Sequence, residues 1–324
     1  MGGTNVSVTE DVDIAIVGGG PTGLAAGIYA ARARRRTVLW ERGVLGGQIA
    51  LTAEVENYPG FPEAVQGPLL ALDMHRQADQ FGMETKYDGI SSIRREPEGP
   101  QFILETDSGE TYRAKAVIVS AGGSPIKLGV PGEEAFTGKG VSYCATCDGA
   151  FFKDEVVAVI GGGDAALEEA LFLTRYASQI HVIHRRDSLR ASRVLQDRAF
   201  ASDQIEFIWN STVEDITGDE DVDCVSLRNV LTDERSELAV GGVFIFIGHH
   251  PNSELLGDLT KLDEGGHAYV NLWMETEQAG LYVAGDVRID AARQLASAVG
   301  DGVTAAIRSE HYLQEHYASP IALP

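Results

Sequence analysis

The sequence predicts an α/β protein in which two units of one βαβ plan are combined, the second inserted into the first. Three observations lead there. An apolar strand, Ile14–Val17, runs into G-G-G-P-T-G (Gly18–Gly23), a small-residue helix from Leu24 to about Ala33, and a second strand, Thr37–Trp40, that closes on Glu41. The order then recurs: strand Val156–Ile160, G-G-G-D-A-A (Gly161–Ala166), a helix through about Tyr176, and strand Gln179–Ile183 closing on His184-Arg185-Arg186. Near the C-terminus a third strand-like run, Leu281–Ala284, meets Gly285-Asp286, and a helical stretch from Arg293 to about Glu310 follows. A glycine turn with a strand before it and a helix after it is the context a Rossmann-like dinucleotide-binding domain requires. Each domain is expected to be a three-layer ββα arrangement. The first draws on both chain ends, 1–122 and 246–324, and the second occupies 123–245. The crossings fall in the turn-rich Ala121–Pro125 and in Gly241–His250.

Each glycine loop has the same physical logic. Gly18 and Gly161 permit a tight turn, and Gly20 and Gly163 let backbone approach a pyrophosphate. Gly23 and Ala166 are small enough for helix and strand to pack. The helix that follows each loop, past Pro21-Thr22 in the first unit and Asp164-Ala165 in the second, offers free N–H groups and a positive dipole end to phosphate. The residue closing the second strand separates the ligands. Glu41 accepts hydrogen bonds from an adenosine ribose and would repel a 2′-phosphate. His184, Arg185 and Arg186 stand at the same distance from their first glycine, with Arg190 in reach, and guanidinium groups fork onto a 2′-phosphate. The second unit is therefore expected to select NADP(H), the plainer alternative being a solvated basic patch. The run Arg34–Arg36 has no such position and reads as a solvated helix end.

Composition bounds the function. The chain has 324 residues, 44% of them hydrophobic, enough for two domains with real cores. Its net charge of −22 argues against nucleic-acid binding, which needs a clustered positive surface. Two explanations of that charge stay open: an ordinary solvated surface, and adaptation to a salty cytoplasm. No apolar run has the ~18 residues a membrane span needs. The polar N-terminus Met1–Thr9 shows no basic region followed by an apolar one, so a cytoplasmic enzyme is expected.

Three cysteines occur, at 144, 147 and 224. That is too few for a disulfide framework or a four-thiolate zinc site. Cys144 and Cys147 form C-A-T-C, a spacing that holds two sulfurs within bonding reach and suits thiol–disulfide exchange. Half of a zinc knuckle is the alternative, and no second pair completes it. Asp148 follows directly and is the natural proton donor or acceptor for a leaving thiol. Cys224 reads as an ordinary, partly buried thiol.

With these residues in place the sequence resembles the low-molecular-weight thioredoxin reductases, from about Asp11 to Tyr312. The motifs are G-G-G-P-T-G, G-G-Q (Gly46–Gln48), E-V-E-N-Y-P-G (Glu54–Gly60), C-A-T-C-D-G (Cys144–Gly149), G-G-G-D-A-A-L-E-E-A (Gly161–Ala170), H-R-R-D-S-L-R-A (His184–Ala191), G-H-H-P-N (Gly248–Asn252), G-D-V (Gly285–Val287) and R-Q-L-A (Arg293–Ala296). The resemblance implies FAD in the discontinuous domain and NADPH in the inserted one. It implies that Gln48, Asn57, Asp286, Arg293, Gln294 and Leu295 contact the flavin, with Asp286 at the ribitol–pyrophosphate region and Arg293–Leu295 at the pyrimidine edge of the ring. Cys147 would be the cysteine nearer the flavin. It also implies a rotating NADPH domain, a homodimer, and thioredoxin as electron acceptor. Thr22 stands where alanine is usual, Ala165 for a common serine, and Leu189 and Ala292 for aromatic residues.

Rival readings keep the fold and change the chemistry: a ferredoxin donor, a dithiol oxidase passing electrons to oxygen, or another disulfide acceptor. The intact arginine cluster argues against the first two. A non-catalytic flavin redox sensor is the rival of another class, and it has no need of an NADP-selective site.

Overall fold

The computed structural model describes residues 10–317 except 53, 97, 98 and 100, so the N-terminal Met1–Thr9 and the tail after Tyr317 lie outside the described residues. The chain divides into two compact units. One comprises the residues up to Ser124 and from His250 onward, the other Pro125–His249. In chain order the first unit opens with β1 (Glu10–Val17), α1 (Pro21–Arg32) and β2 (Thr37–Trp40). A 3-10 turn (Gly47–Leu51), the paired strands β3 (Glu54–Val55) and β4 (Val65–Gln66), and α2 (Gly67–Gln80) follow. Strands β5 (Glu84–Lys86), β6 (Ile90–Arg95), β7 (Phe102–Thr106) and β8 (Thr111–Val119) continue it, and β9 (Gly123–Pro125) leads into the second unit. That unit runs β10 (Val141–Ser142), α3 (Ala145–Asp148), β11 (Val156–Gly161), α4 (Asp164–Leu173), β12 (Gln179–Ile183), α5 (Arg193–Phe200) and β13 (Ile205–Ile208). Strands β14 (Ser211–Gly218), β15 (Val222–Asn229), β16 (Arg235–Ala239) and β17 (Gly242–Phe246) complete it. The chain returns through β18 (His249–Pro251) to β19 (Leu281–Val283) and α6 (Leu295–His316).

In the first unit the sheet order is β5-β2-β1-β8-β7-β6, with β19 also paired to β8. β8 serves three neighbours: β1 along most of its length, β7 antiparallel near its start, and β19 parallel over Val117–Val119. Side-chain alternation then builds two cores. Ile14, Ile16, Ala116 and Ile118 face a layer of α1, α2 and α6, and Ala15, Val17, Val117 and Val119 face a second layer with Leu256 and Ala268. Each fully buried Ile or Leu here removes enough apolar surface from water to contribute about 1.5–3 kcal/mol.

The second unit is a five-stranded parallel sheet, β10-β17-β11-β12-β13, and a three-stranded antiparallel sheet, β14-β15-β16. Val157, Val159, Ile180 and Val182 pack against α4 and α5, while Ala158, Ile160 and Ile183 pack toward Val213, Ile216, Val225 and Leu227. Helices, parallel sheet and antiparallel sheet form the three-layer ββα arrangement. Among the described residues no helix is long and apolar enough to cross a membrane.

Several expected boundaries move, each for a local reason. β2 and β12 lie where the pattern puts them. The helix expected through Tyr176 stops at Leu173, because Arg175 and Tyr176 donate to Phe172 and Leu173, three residues back, and tighten the last turn. The helix expected from Arg293 starts at Leu295, because Arg293 takes φ +55° and Gln294 is extended; it then runs on to His316. β19 ends one residue before Ala284.

One sequence reading is corrected. Arg35 is no solvated helix end: its guanidinium donates twice to Glu310 (2.5 and 2.9 Å) with only 11% of the side chain exposed, tying the end of α1 to α6. After α6, the Tyr317 ring packs edge-on to Tyr312, and the Lys115 ammonium lies over it.

α1 and α6 approach through glycine. A Cβ on Gly302 would stand 2.1 Å from the Thr22 carbonyl oxygen, whereas one on Gly300 would meet nothing within 4 Å. Gly302→Ala is expected to cost about 1–3 kcal/mol through overpacking. Gly300→Ala should be neutral or stabilising by about 0.5–1 kcal/mol through helix propensity. Thermal unfolding of the two variants side by side checks the pair.

Candidate active site

The two glycine loops have the same geometry, residue for residue. Gly18 (φ +106°) lies under the next strand, where a Cβ would stand 2.5 Å from the Ser120 carbonyl oxygen. Gly161 (φ +154°) lies 2.4 Å by the same measure from that of Phe246. At the middle position, a Cβ on Gly19 would meet Leu45 and Glu41, and one on Gly162 the His184 ring. Gly23 is forced by the Gly18 carbonyl, 1.9 Å from its would-be Cβ, and Ala166 is the small residue in the second unit. Gly20 and Gly163 are different: a Cβ on either would meet nothing. The protein itself has no use for a glycine there, but a ligand backbone approaching the helix start does.

Both helix starts are also left uncapped. Gly20 and Gly163 are the N-caps of α1 and α4, and neither helix has a side-chain cap; Pro21 at the first position of α1 has no N–H to satisfy. An uncapped N-terminus under an open glycine fits a pyrophosphate in each unit.

The residues closing the second strands behave differently. Glu41 accepts hydrogen bonds from the Gly19 and Gly43 N–H groups, both at 2.6 Å, which aims the carboxylate at the loop. His184 turns inward instead. It is 7% exposed, its ring lies on Gly162, and its Nε2–H donates to the Ser188 carbonyl (3.1 Å). Burial holds its pKa below the usual histidine range, with Arg186 and Arg190 adding to the effect. His184 therefore shapes the loop as a neutral ring. Arg185, Arg186 and Arg190 remain exposed. The Arg190 and Ala191 N–H groups donate to the Gly162 carbonyl, and Ser192 N–H to Asp164 (2.6 Å), so the arginine loop is fastened to the glycine loop. Ala165 is exposed on the first turn of α4.

In the first unit, other expected contacts gather in two groups. Gly46 N–H donates to the Gly19 carbonyl, which brings the turn carrying Gln48 to the glycine loop. Gly285 presses on Thr22, where a Cβ would come 2.4 Å from Oγ1, so Asp286 is placed beside the start of α1. The second group is at the start of α6. Asn57 donates to the Gln294 side chain (3.2 Å) across 237 residues of chain. Arg293 donates to His267 Nε2 (3.2 Å), whose Nδ1 faces Asp263 (3.3 Å). Leu295 packs partly buried against the helix-side core.

The redox pair lies in the second unit. Cys144 and Cys147 are disulfide-bonded, with Cα atoms 5.3 Å apart, Cys144 as the N-cap of the one-turn helix α3 and Cys147 within it. Cys147 is exposed and Cys144 half-buried. Ser142, which the sequence reading passed over, organises the turn. Its hydroxyl donates to Asp148 Oδ2 (2.6 Å) and accepts from the Cys144 N–H (3.0 Å). Cys224 is free and half-buried in β15. Among the described residues no cluster of His, Cys, Asp or Glu could hold a metal ion.

Two further residues were missed. Asp301 accepts from the Gly285 N–H (3.1 Å) and from two nitrogens of Arg288 (2.6 and 3.0 Å), fixing the turn that carries Asp286. A carboxylate between two glycines inside a small-residue helix was the visible signal. The second, Glu169, is half-buried on α4, with its Oε2 fully buried and its carboxyl facing the backbone of α3.

Removing the hydroxyl in Ser142→Ala deletes a hydrogen bond to a charged acceptor, worth about 1.5–3 kcal/mol. Reduction of the Cys144–Cys147 disulfide by dithiothreitol, followed by thiol-specific mass labelling, is expected to slow about tenfold. The circular dichroism spectrum should not change.

A family model, pyridine nucleotide-disulphide oxidoreductase, matches residues 12–302. A thioredoxin reductase of Listeria innocua is 45% identical over 94% of this chain and 94% of its own length. One of Bacillus subtilis is 44% identical over 94% of this chain and 95% of its own. Among solved structures, the thioredoxin reductase of Lactococcus lactis superposes with a TM-score of 0.91 at 42% identity, over 94% of this chain and 99% of that one. By these matches the chain belongs to the pyridine nucleotide-disulphide oxidoreductases, among the low-molecular-weight thioredoxin reductases.

Proposed function

We propose that the chain carries electrons from NADPH, by way of FAD, to the Cys144–Cys147 disulfide and on to the disulfide of thioredoxin. One observation carries the reading. A single unit, Pro125–His249, holds both the redox disulfide and a glycine loop fastened to three exposed arginines. The shared name of the relatives supports thioredoxin as the acceptor. A cytoplasmic homodimer completes the reading and rests on the family resemblance.

In this reading the discontinuous unit holds FAD and the inserted one NADPH. FAD, when bound, supplies the two-electron chemistry between a nicotinamide and a disulfide. Gly18, Gly20, Pro21, Thr22 and Gly23 seat its pyrophosphate at α1, and Glu41 keeps lone pairs for ribose hydroxyls. Gly285 and Asp286, Gln48, and the Asn57–Gln294 pair with Arg293 and Leu295 line the rest. Gly161, Gly163, Asp164 and Ala165 do the same for NADPH at α4. Arg185, Arg186 and Arg190 bind the 2′-phosphate, and His184 holds the loop beneath them. Two electrons cleave the Cys144–Cys147 bond, and one sulfur takes a proton from the Asp148 side while the other is left as thiolate. That thiolate attacks the thioredoxin disulfide, and the second cysteine then displaces the reduced thioredoxin.

The test is anaerobic mixing of the oxidised flavoprotein with NADPH and, separately, NADH. Rapid bleaching of the flavin by NADPH, with NADH much slower, is expected; bleaching by neither would overturn the donor assignment. Arg185→Ala with Arg186→Ala should raise the NADPH requirement about 10–100-fold and leave NADH unchanged, since each lost charged hydrogen bond costs about 1.5–3 kcal/mol. Cys147→Ser should keep the bleaching and abolish disulfide reduction.

A further inference from the structure

Glu169 is a half-buried acid with no part in the chemistry above. Along α4 it lies three residues after Ala166 and four before Leu173, inside the stripe that Ala166, Ala170 and Leu173 bury against the sheet and α3. Its neighbour Glu168 is exposed. The backbone N–H groups of Ala145 and Thr146, which lie between the two redox cysteines, face its carboxyl. Its Oε2 is fully buried and has no hydrogen-bond partner. A charged oxygen in that state is far more costly than a protonated one. Burial, with Glu168 adding to it, accordingly raises its pKa to about 7. Other charged groups on the elements packed around α4 are Asp148 on α3, His181 on β12, and Arg193, Asp197 and Arg198 on α5, and none of them is a resolved cause of the shift.

We propose that Glu169 is a positioning residue that sets the thiolate equilibrium of the reduced Cys144–Cys147 pair, its buried carboxyl and that thiolate each disfavouring the charge of the other. The proposal rests on the redox role given to the pair above. Two electrons and one proton convert the disulfide to one thiol and one thiolate, and a second proton converts that thiolate to a thiol. With Glu169 neutral, the thiolate has no buried negative charge beneath it. With Glu169 ionised, the second proton binds more tightly. The two groups then titrate as a coupled pair.

The test needs neither NADPH nor thioredoxin, so a wrong donor or acceptor would not disturb it. The protein is reduced with dithiothreitol, desalted, and alkylated with iodoacetamide across pH 5–9, with mass spectrometry separating Cys144 and Cys147 from Cys224. Wild type should show two inflections, one of them near the pH where Glu169 titrates. In Glu169→Gln, which keeps an accepting oxygen for the Ala145 and Thr146 N–H groups, the thiolate midpoint should fall by about half a pH unit or more. A superposable pair of curves overturns the proposal, and so does a single inflection in wild type, even if the variant fails to fold.

Thermal unfolding supplies the structural readout. The folded-state pKa of Glu169 is raised, so its contribution to stability is lost as pH rises from its unfolded value toward 7. Glu169→Gln should therefore melt like wild type near pH 4.5 and above it at pH 8. A stability gap without a shifted thiolate midpoint would mark Glu169 as structural only and overturn the proposal.

Discussion

At the end of β1 the chain turns beneath the Ser120 carbonyl with so little clearance that a Cβ on Gly18 would stand 2.5 Å from its oxygen, and β11 repeats the turn beneath the carbonyl of Phe246. A hydrogen is the only substituent that fits, and the positive φ at both glycines would penalise a side chain even in open space. Much follows from this one constraint. The tight turn starts the helix directly over the strand end, so its first N–H groups point out of the sheet edge, and the small residue one turn on keeps helix and strand in contact. The two turns have the same contacts in the same order, although their sequences share little beyond glycine and small residues.

From that common frame the units diverge at one position. Glu41 reaches back to two backbone N–H groups and keeps a negative charge at the edge of its loop. His184 tucks a neutral ring against Gly162 and leaves the edge to Arg185 and Arg186. The difference is not simply acid against base. An ionised histidine under three arginines would oppose them, and burial keeps it uncharged. The loop's positive charge is thus concentrated on guanidinium groups that project into water, which suits a phosphate and not a ribose hydroxyl.

How much of this was legible depended on the range of the interaction. Glycine turns and strand ends are local, and β2 and β12 could be bounded to the residue from the sequence. α6 began two residues late because Arg293 adopts a left-handed conformation that no propensity announces. Arg35 was read as solvated because its partner, Glu310, lies 275 residues away. Ser142, Asp301 and Glu169 were missed for a related reason. Each acts through hydrogen bonds or a buried face whose partners are visible only after folding. Glu169 had the clearest local signal, a carboxylate in phase with an apolar stripe, and that pattern is normally discounted because an E-E pair on a helix reads as a solvated surface.

The chain's overall charge sets the terms for its arginines. A protein of net charge −22 repels an anionic nucleotide at long range. Salt screens that repulsion beyond roughly 8 Å at physiological ionic strength, but it weakens a close guanidinium–phosphate contact much less. In the proposed reading, selectivity for a 2′-phosphate would therefore come from contacts made within a few ångströms, by donors already in place. Pinning the arginine loop to the Gly162 carbonyl and to Asp164 provides that: the backbone is fixed before the nucleotide arrives, and only the side chains remain to be ordered. The same economy of buried charge holds at the redox turn. Asp148 is satisfied by Ser142, the cysteines are held uncharged as a disulfide, and Glu169 buries an unpartnered oxygen with its carboxyl facing the Ala145–Thr146 backbone, between the two cysteines whose reduction creates a new negative charge.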